Sequence, residues 1–524
     1  MSRTNKFLGG ATLGALNMVV SAVLGLWLTR FYLRHLGQRD LGYWLIATQV
    51  ISYLMLIDFG LVALLPRQTA YEVGRAGGWR EARGLPTLIG HISRLVTWQL
   101  PLLAAAMIVI WIWLPADWQP VRQPLALVFV FFVALFPLRI PGAVLQGLQD
   151  LAFVGAIQFA TWTLNALLSV VLLLAGFDLS AFAVAYVASQ GLSGALSLFR
   201  LVRKYPGVLP RRLPPLDWPK LREQITRGGW VSLTQVAQIL IAGTDMVIIG
   251  RLVTPAAVVP YAITSKLLSV LGNQPLLLVQ SASSGLSELR TGAGPERLAR
   301  VGATLGLAVM IASGFVTTVV IGSNKAFVGW WVGPDQYGGL ALTVAFGASL
   351  LLRHWTTCVA TTVFALGHER LLAIVALADG LTRTALSIVL LLGFGVIGLP
   401  LASVASMLLV SLPASLVVLA REARSTPWSF IREILPWSLR FGAVAALAAG
   451  LSVWMGTGFL AAALTASASG LLYLVAAGPL ALREPLGSYV RPRLLSLLRR
   501  LGLERLAHRR AGAAVDPGTD GGAP

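Results

Sequence analysis

The chain has 524 residues, of which 56% are hydrophobic and 12% are charged, and its mean hydropathy is +0.77. Because a soluble domain carries about 25% charged residues, this composition excludes a soluble globular protein and predicts a polytopic membrane protein. The net charge of +20 comes from basic residues that lie mostly between apolar runs, which points to anionic lipid headgroups as partners and away from nucleic acid. The single cysteine, Cys358, excludes a disulfide framework and a thiolate metal site.

About fourteen apolar runs follow one another along the chain, each long enough to span a bilayer as a helix of about 20 residues. They fall at 10–34, 43–66, 88–114, 124–148, 153–176, 179–202, 228–250, 257–284, 299–322, 338–366, 370–393, 397–420, 437–456 and 458–482. The first begins after Met1–Lys6 with no small-residue cleavage site, so we expect it to remain as a membrane anchor.

A polar, proline-rich stretch separates the first six runs from the next six, and a basic segment follows the last run. The predicted domains are an N-lobe at 1–205, a cytoplasmic linker at 206–227, a C-lobe at 228–422, helices 13 and 14 at 423–482, and a cytoplasmic tail at 483–524. Within the tail, 493–510 has leucines on one side and arginines elsewhere, which predicts an amphipathic helix on the inner leaflet. The residues from 513 onward are predicted to be disordered.

Lysine and arginine are concentrated on one side of the predicted membrane. If Met1 is cytoplasmic, the cytoplasmic segments hold most of them, the richest being 75–83, 200–227, 421–432 and the tail. The even number of helices then places both termini in the cytoplasm.

The two halves of the chain match each other weakly at an offset of about 218 residues. The matched pairs include Gly10 with Gly228, Asn17 with Gln235, Gly25 with Gly243, and Tyr43 with Tyr261. Two six-helix repeats predict such matches, and because six is even the repeats would be parallel, related by an axis along the membrane normal. The alternative is a chance match between helices rich in glycine and leucine.

A polar turn at Leu36–Gly42 is followed by an apolar run that Asp58-Phe59-Gly60 interrupts. A carboxylate beside a glycine inside an apolar helix is costly in lipid and usually faces a cavity lined by protein. This layout resembles the first two membrane helices of the polysaccharide biosynthesis flippases of the MOP superfamily, in which a similar LG-x-x-x-x-G turn and D-F-G-L element are common. The resemblance covers about residues 5–480 and implies a MATE-like fold, with two six-helix lobes and two C-terminal helices.

The repeat aligns Asp58-Phe59-Gly60 with Asn273-Gln274-Pro275 in the eighth run. Paired breaks at corresponding places of two halves point to a binding site. A packing kink is an equally open interpretation, since proline and glycine are frequent in membrane helices. We expect Asp58, which has no charged counterpart at the second break, to serve a conformational step as a proton or sodium site, or else to cap the broken helix.

Ionisable residues inside the predicted spans carry most of the functional information. The cations are Arg94, Arg139, Lys266, Arg353 and Arg383, and the acids are Asp58, Asp245 and Asp379, with His91 and His354 nearby. A charge at the bilayer centre costs at least about 2.5–3.5 kcal/mol, so these side chains should face the space between the lobes or pair with one another. The candidate substrate-binding residues are Arg139, Lys266, Arg353, His354, Arg383 and Arg30, and the candidate coupling residues are Asp58, Asp245 and Asp379. We expect Arg139, Lys266 and Arg353 to line one shared cavity.

Local sequence leaves alternatives for several of these residues. Arg139 lies between Pro137 and Pro141, so a kinked helix would offer its guanidinium either to a diphosphate or to the freed carbonyls. Asp379 and Arg383 are four residues apart, which favours an intrahelical ion pair.

The remaining candidate residues lie near the ends of predicted spans, where side chains meet the membrane interface. Arg30 either meets a phosphate or, as the spacing near the end of the first helix favours, anchors that helix at the headgroups. Asp245 and Arg251 are six residues apart and do not share a helix face. The tryptophans that flank the outer loops are predicted to form an interfacial aromatic belt: Trp111, Trp113, Trp118, Trp330 and Trp331.

The sequence contains no P-loop, no G-x-G-x-x-G after a strand and no H-E-x-x-H motif. We therefore expect no catalytic residues, no cofactor and no metal site, and we expect the protein not to be an enzyme. ATP hydrolysis within this chain is excluded by the absence of a nucleotide-binding motif.

The resemblance implies a flippase that moves polyprenyl-diphosphate-linked oligosaccharide from the inner to the outer leaflet of the bacterial cytoplasmic membrane by alternating access, for surface polysaccharide synthesis. Its partners would be the lipid-linked glycan, anionic membrane lipids and the polysaccharide synthesis machinery, and it would act as a monomer. The alternatives are a lipid II-type flippase, an ion-coupled multidrug antiporter of the MATE type, and a non-transporting scaffold for a synthase complex. Five cations against three aspartates favour an anionic substrate over cationic drugs.

Overall fold

The computed structural model describes residues 3–115, 118–210, 218–292 and 294–488, with the single positions or short stretches 212, 490–492 and 496. Side chains before residue 21, at residue 58, and over parts of 213–231 and 284–293 lie outside the described residues. The predicted amphipathic helix at 493–510 and the rest of the tail also lie outside them, apart from the few positions named.

The described residues form helices joined by short turns, and none of them is in a strand. In chain order the helices are α1 (Arg3–Leu54), α2 (Leu61–Ala76), α3 (Leu85–Ile112), α4 (Gln119–Leu135), α5 (Arg139–Gly147), α6 (Leu151–Leu174), α7 (Ser180–Lys204), α8 (Trp218–Ala242), α9 (Asp245–Leu252), α10 (Pro255–Gly292), α11 (Gly294–Trp331), α12 (Leu340–Ala365), α13 (Glu369–Phe394), α14 (Gly398–Ser406), α15 (Leu412–Glu422), α16 (Pro427–Trp454) and α17 (Phe459–Ala481). The predicted all-α fold class is confirmed.

Ten stretches of the described residues are long and apolar enough to cross a membrane, or up to eleven if α8 and α9 count as one bent span. One of them, Glu369–Glu422, contains two of the predicted runs, and another, Ser21–Ile57, covers parts of two. The tenth predicted run is helical as α12 but lies outside the ten, because polar residues such as Arg353 and His354 lower its hydropathy. The chain is a multi-pass membrane protein.

α1 is 52 residues long and contains one residue with non-helical dihedral angles, Gly37 (φ 76°, ψ 174°). Glycine takes this conformation without the steric cost that a Cβ would add. The position lies in the predicted Leu36–Gly42 turn, so α1 combines the first predicted helix with the first half of the second.

The predicted break in the second run is confirmed. A 3₁₀ turn covers Met55–Asp58, Phe59 and Gly60 have φ angles of 48° and 67°, and α2 begins at Leu61. The side chain of Asp58 lies outside the described residues, so its coupling role stays a prediction.

The predicted break in the eighth run is wrong, because α10 continues from Pro255 to Gly292 through Asn273-Gln274-Pro275. One proline removes a single backbone N–H, a loss that neighbouring groups in a membrane protein can make good. The break occurs instead in the seventh run, where α8 ends at Ala242, α9 begins at Asp245 and the axis bends by 52°.

By its internal contacts the chain divides into two compact units. The first consists of Met1–Lys266, Val328–Ala345 and Glu369–Ser411, and the second of Leu267–Phe327, Phe346–His368 and the residues from Leu412 onward. These limits fall inside α10, α11 and α12 and differ from the predicted lobe limits, which stay predictions.

Within the first unit, α2 packs against α5, α4 and α6 pack against α7, and α13 packs along α8 and α14. Leu65, Leu85 and Leu145 are among its fully buried side chains. Within the second unit, α16 packs against α17. There the buried Trp437 donates to the Tyr473 hydroxyl at 2.8 Å, and that hydroxyl donates to the Ile311 carbonyl at 2.8 Å.

Hydrogen bonds join segments that the topology prediction places on one side of the membrane. In the first unit, Gln38 donates to the Ala256 carbonyl at 2.9 Å, and Gln336 donates to Gln38 at 3.2 Å. In the second unit, His368 contacts Glu422 at 2.9 Å, and both lie at ends predicted to face the opposite side. These contacts agree with the predicted alternation of loops, and which face is cytoplasmic stays a prediction.

The contact between Gln38 and Ala256 also bears on the internal repeat. The two residues are 218 positions apart, which is the offset between the matched halves. In a two-fold arrangement, equivalent positions touch each other only next to the axis that relates them. Such a contact is expected for a two-fold axis of either orientation, so parallel repeats that superpose about the membrane normal stay a prediction.

Asp150, between α5 and α6, holds the end of α7. Arg200 Nε and Lys204 Nζ each donate to Asp150 Oδ2 at 3.0 Å, and the carboxylate side chain is 8% exposed. Burial raises the pKa of Asp150, but the hydrogen bonds from Arg200 and Lys204 outweigh it and hold this pKa below its usual value.

Because the folded-state pKa is the lower one, the interaction stabilises the folded protein above the unfolded-state pKa of about 3.9 and is lost as the pH falls through the folded-state pKa. We expect Asp150→Asn to lower the thermal unfolding midpoint at pH 7, and we expect the difference from wild type to shrink below about pH 3.9. Asp335→Asn, at an exposed position, is the control and should leave the midpoint unchanged. A loss from Asp150→Asn that is equal at every pH would contradict this assignment.

Candidate functional site

The site is built around the break in the seventh run. The chain leaves helical geometry after Ala242, and the Gly243 carbonyl accepts a hydrogen bond from the Tyr53 hydroxyl of α1 at 2.6 Å. A Cβ on Gly243 would collide with the side-chain amide of Gln49, which also belongs to α1. The glycine therefore lets α1 approach the break closely, and Tyr53 satisfies a carbonyl that the break leaves exposed.

Asp245, the first residue of α9, is the centre of a buried polar cluster. Arg383 donates from one nitrogen to both carboxylate oxygens, at 3.1 and 2.9 Å, and the Tyr261 hydroxyl donates to Oδ2 at 2.6 Å. The side chains of Arg383 and Asp245 are 8% and 14% exposed. Charge-assisted hydrogen bonds of this kind are the strong ones, and an ion pair at low exposure is costly to break.

Close helix packing brings Arg383 to Asp245. On α13, a Cβ at Gly380 would lie 2.9 Å from the Cβ of Leu240, so the backbones of α13 and α8 pass close to each other. Arg383 lies about one turn further along α13 and reaches the start of α9 just beyond the break. Three helices, α9, α10 and α13, thus supply Asp245, Tyr261 and Arg383.

The predicted partner of Arg383 was Asp379, and the structure instead gives Arg383 a cross-helix ion pair with Asp245, 138 residues away. Asp379 is fully buried on the same face of α13. Because helix spacing shows only local partners, the sequence favoured the pair at four residues over the pair that helix packing makes. The coupling roles predicted for Asp245 and Asp379 stay predictions.

Arg139 begins α5 directly after the 3₁₀ turn at Phe136–Leu138, which is the predicted irregularity between two prolines. Its guanidinium lies 5.1 Å from the centroid of the Phe136 ring, and the residue is half-buried. Lys266, on α10, is half-buried as well. Both belong to the first compact unit, whereas Arg353 belongs to the second, and the shared cavity stays a prediction.

In the second unit, His354 is 1% exposed and its Nδ1 is 2.6 Å from the Ser313 hydroxyl of α11. A buried imidazole with such a partner is stabilised within the protein. Arg353, its neighbour on α12, is half-buried, as is Arg30 on α1 in the first unit. The substrate-binding roles of His354, Arg353 and Arg30 stay predictions.

Two of the predicted belt tryptophans are buried. Trp331 is 3% exposed and its indole N–H donates to the Leu26 carbonyl at 2.9 Å, and Trp118 is 7% exposed. For these two the prediction of an interfacial belt is wrong, because both rings lie within the protein. Trp113 and Trp330, at 79% and 44% exposure, remain available to an interface.

The sequence analysis did not single out Tyr53 or place a break at Gly243. Gly243-Thr244-Asp245 does carry a signal, since a glycine followed by residues typical of helix starts marks a helix end and a new beginning. Tyr261 appeared only as the repeat counterpart of Tyr43. The contact of Tyr53 with Gly243 has no local signature because it joins residues 190 positions apart.

Comparison with known proteins adds a family match over part of the chain and a fold. Residues 94–290 match the model of a family described as polysaccharide biosynthesis protein. A structure of the lipid II flippase MurJ in an inward closed conformation aligns with a TM-score of 0.67 at 11% identity, covering 90% of this chain and 99% of that one. An outward-facing multidrug resistance MATE family transporter of the MOP superfamily aligns with a TM-score of 0.50 at 14% identity, covering 78% and 95%.

The chain therefore has the fold that this flippase and this transporter share. A MATE transporter in complex with MaD3S aligns similarly, with a TM-score of 0.50 at 13% identity over 79% of this chain and 94% of that one. No curated protein sequence matches the chain. The fold is one that also occurs in a lipid II flippase and in multidrug transporters.

Proposed function

We propose that the protein is a flippase that moves polyprenyl-diphosphate-linked oligosaccharide from the inner to the outer leaflet of the bacterial cytoplasmic membrane by alternating access, with both termini in the cytoplasm. The observation that carries the proposal is the match of residues 94–290 to the polysaccharide biosynthesis family on a fold that also occurs in a lipid II flippase. We further propose that it works in surface polysaccharide synthesis as a monomer, with anionic lipids and the synthesis machinery as partners.

The charge of the predicted spans favours an anionic substrate. Asp245 is neutralised by Arg383, and Asp379 is fully buried. A transporter of cationic drugs needs carboxylates that a drug-sized cation can reach. Asp245 and Asp379 do not meet that need. Arg139, Lys266 and Arg353 add three further positive charges to the spans, which suits a diphosphate.

The candidate residues are assigned to three roles: holding the bent helix, contacting substrate and coupling to an ion. Arg383 is engaged by Asp245, so a diphosphate would have to compete with that carboxylate, and we assign Arg383 chiefly to holding the bent helix α8–α9 against α13. Arg139, Lys266, Arg353, His354 and Arg30 are proposed to contact substrate. Asp58, Asp245 and Asp379 are proposed to bias the conformational equilibrium, through an affinity for an ion that differs between the two states.

The test is transfer of a fluorescent polyprenyl-diphosphate oligosaccharide between leaflets of proteoliposomes that contain the full chain. Exposure of the glycan to a membrane-impermeant lectin reports transfer. We expect transfer to depend on the protein, and we expect Arg139→Gln to slow it about tenfold or more, since a charge-assisted bond to phosphate is lost. Arg370→Gln, at an exposed position on α13, is the matched control and should transfer normally.

The same vesicles separate the alternatives. The likeness to a lipid II flippase favours lipid II as a second candidate substrate, so lipid II is assayed beside the oligosaccharide lipid. Transfer of lipid II alone would replace the proposed substrate. Uptake of a cationic dye driven by an ion gradient, with no lipid transfer, would replace the flippase by a drug antiporter.

A further inference from the structure

The twelfth predicted run contains a π-helical turn. α14 ends at Ser406, the turn covers Met407–Ser411, and α15 begins at Leu412. Among the described residues this is the one π-helical segment. A π turn bonds a carbonyl to the N–H five residues further on, so it holds one residue more than a turn of α-helix, and such turns are frequent at functional sites. The extra residue therefore needs a physical reason.

The buried residues of this helix change their spacing at the π turn. From Ala402 onward they occur in adjacent pairs, which we call the buried stripe: Ala402 and Ser403, Ser406 and Met407, Ser411 and Leu412, Ser415 and Leu416, and Leu419 and Ala420. Successive pairs are four residues apart, except across the turn, where they are five apart. In a regular α-helix one extra residue would rotate the second part of the stripe by about 100°. Because the π turn absorbs that residue, one buried face continues along the whole helix.

Pro413 follows the π turn and limits the hydrogen bonds available to it. Proline has no N–H, so in an α-helix the Leu409 carbonyl would lack its usual donor, and the proline ring would press against that carbonyl. Leu408, Leu409 and Pro413 are exposed, Leu409 at 67%. The backbone of the turn can therefore rearrange on this side without displacing packed side chains.

The two ends of this helix are held differently. In the first unit, a Cβ at Gly398 would collide with the Leu390 carbonyl of α13, so the start of α14 and α13 are in backbone contact. In the second unit, Glu422 at the end of α15 contacts His368 at 2.9 Å through side chains that are 35% and 37% exposed. Exposed pairs of this kind hold weakly. The division between the two compact units falls directly after Ser411, at the end of the π turn.

We propose that the π turn at Met407–Ser411 is a hinge, at which α15 bends relative to α14 during the conformational cycle. Sharp bends of helices occur at π turns and at prolines, because the ladder of backbone hydrogen bonds is interrupted there. The hinge lets the end of α15 move while the buried stripe of α14 stays packed against α13. Its existence is independent of the substrate, whereas its use in transport rests on the proposed function.

Deleting one residue from the π turn tests the hinge. Removal of Leu409 in a Pro413→Ala background leaves the pairs of the buried stripe four residues apart throughout, so a continuous α-helix is expected. Backbone hydrogen exchange of the purified full chain is measured by mass spectrometry over residues 398–422. We expect residues 407–412 of the wild type to exchange about tenfold faster than the flanking turns. Pro413→Ala alone should slow this exchange, and the deletion should bring it to the rate of the flanking turns.

Transfer between leaflets of proteoliposomes then shows whether the cycle uses the hinge. We expect the deletion variant to transfer the oligosaccharide lipid about tenfold more slowly than Pro413→Ala, because a hinge that cannot bend slows the conformational step. Deletion of Val417, which is exposed in α15, is the matched control. It rotates Leu419 and Ala420 out of the buried stripe and should prevent stable folding.

Three results would overturn the proposal. A π turn that exchanges as slowly as its flanking turns would be a static correction of register. A deletion of Leu409 as destabilising as the deletion of Val417 would show that the turn does not absorb an extra residue. A folded deletion variant that transfers lipid at the rate of Pro413→Ala would show that the cycle does not bend the helix here. If the wild type transfers no lipid, the proposed function fails, and the exchange rates still decide whether the hinge exists.

Discussion

Replacing Arg383 with glutamine is expected to lower the free energy of unfolding by about 3–5 kcal/mol, because the carboxylate of Asp245 would remain buried without its cation. Asp245→Asn should destabilise by a similar amount for the converse reason. The double variant should recover much of the loss, since no unpaired charge remains and the Tyr261 hydroxyl keeps an oxygen acceptor. Unfolding is measured by titration with SDS in mixed micelles.

An exposed ion pair in the second unit provides the control. Arg424 and Glu296 are 3.6 Å apart, with side chains that are 86% and 55% exposed. Pairs of this kind contribute little, so Arg424→Gln should leave the unfolding transition almost unchanged. If Arg383→Gln were as mild as Arg424→Gln, or if the double variant were no better than the single ones, the ion pair would not hold the bent helix in place.

Replacing Gly42 with alanine is expected to force α1 away from the start of α10, where Gln38 bonds to the Ala256 carbonyl. A Cβ at Gly42 would collide with the carbonyl oxygen of Pro255 and lie 2.7 Å from its carbonyl carbon. Because the obstacle is backbone, relief requires α1 to move from the α9–α10 turn, and overpacking of this kind costs about 1–3 kcal/mol. We call the arrangement in which these two backbones touch the closed arrangement. We expect its population to fall about tenfold.

The variant Gln38→Cys with Ala256→Cys reports this closed arrangement by forming a disulfide bond, since Gln38 and Ala256 are in contact. The native Cys358 is 1% exposed and should not compete. In the Gly42→Ala background we expect cross-linking to slow about tenfold. Gly25→Ala, in the same helix, is the matched control, because no atom lies within 4 Å of its added Cβ. Unchanged cross-linking in Gly42→Ala would show that the two backbones are not in obligatory contact.

Much of the fold could be predicted from the sequence because the features concerned are local. A run of apolar residues long enough to span a bilayer must form a helix there, since lipid offers no partner for backbone groups. Every predicted run is helical over most of its length. Gly37 and Gly60 marked a turn and a break, because glycine permits the positive φ angles found there. The excess of intramembrane cations is likewise a property of composition.

The candidate site was only partly visible in the sequence. Arg383 and Asp245 were both identified as intramembrane charges, but as parts of different predicted arrangements. Spacing along a helix shows partners three or four residues away, whereas the partner of Arg383 is 138 residues away. That partner depends on how closely α13 and α8 approach at Gly380, which is a property of packing.

By itself the sequence therefore determined that this is an all-α, multi-pass protein with a break after Asp58 and more cations than acids in its predicted spans. Only the tertiary structure decided that the second break lies at Gly243, that Asp245 binds Arg383 and Tyr261, and that Trp118 is buried against Tyr43. The physical reason is the same in each case. Hydropathy and backbone preference act within a few residues, whereas ion pairs, freed carbonyls and cavities arise where helices distant in sequence meet.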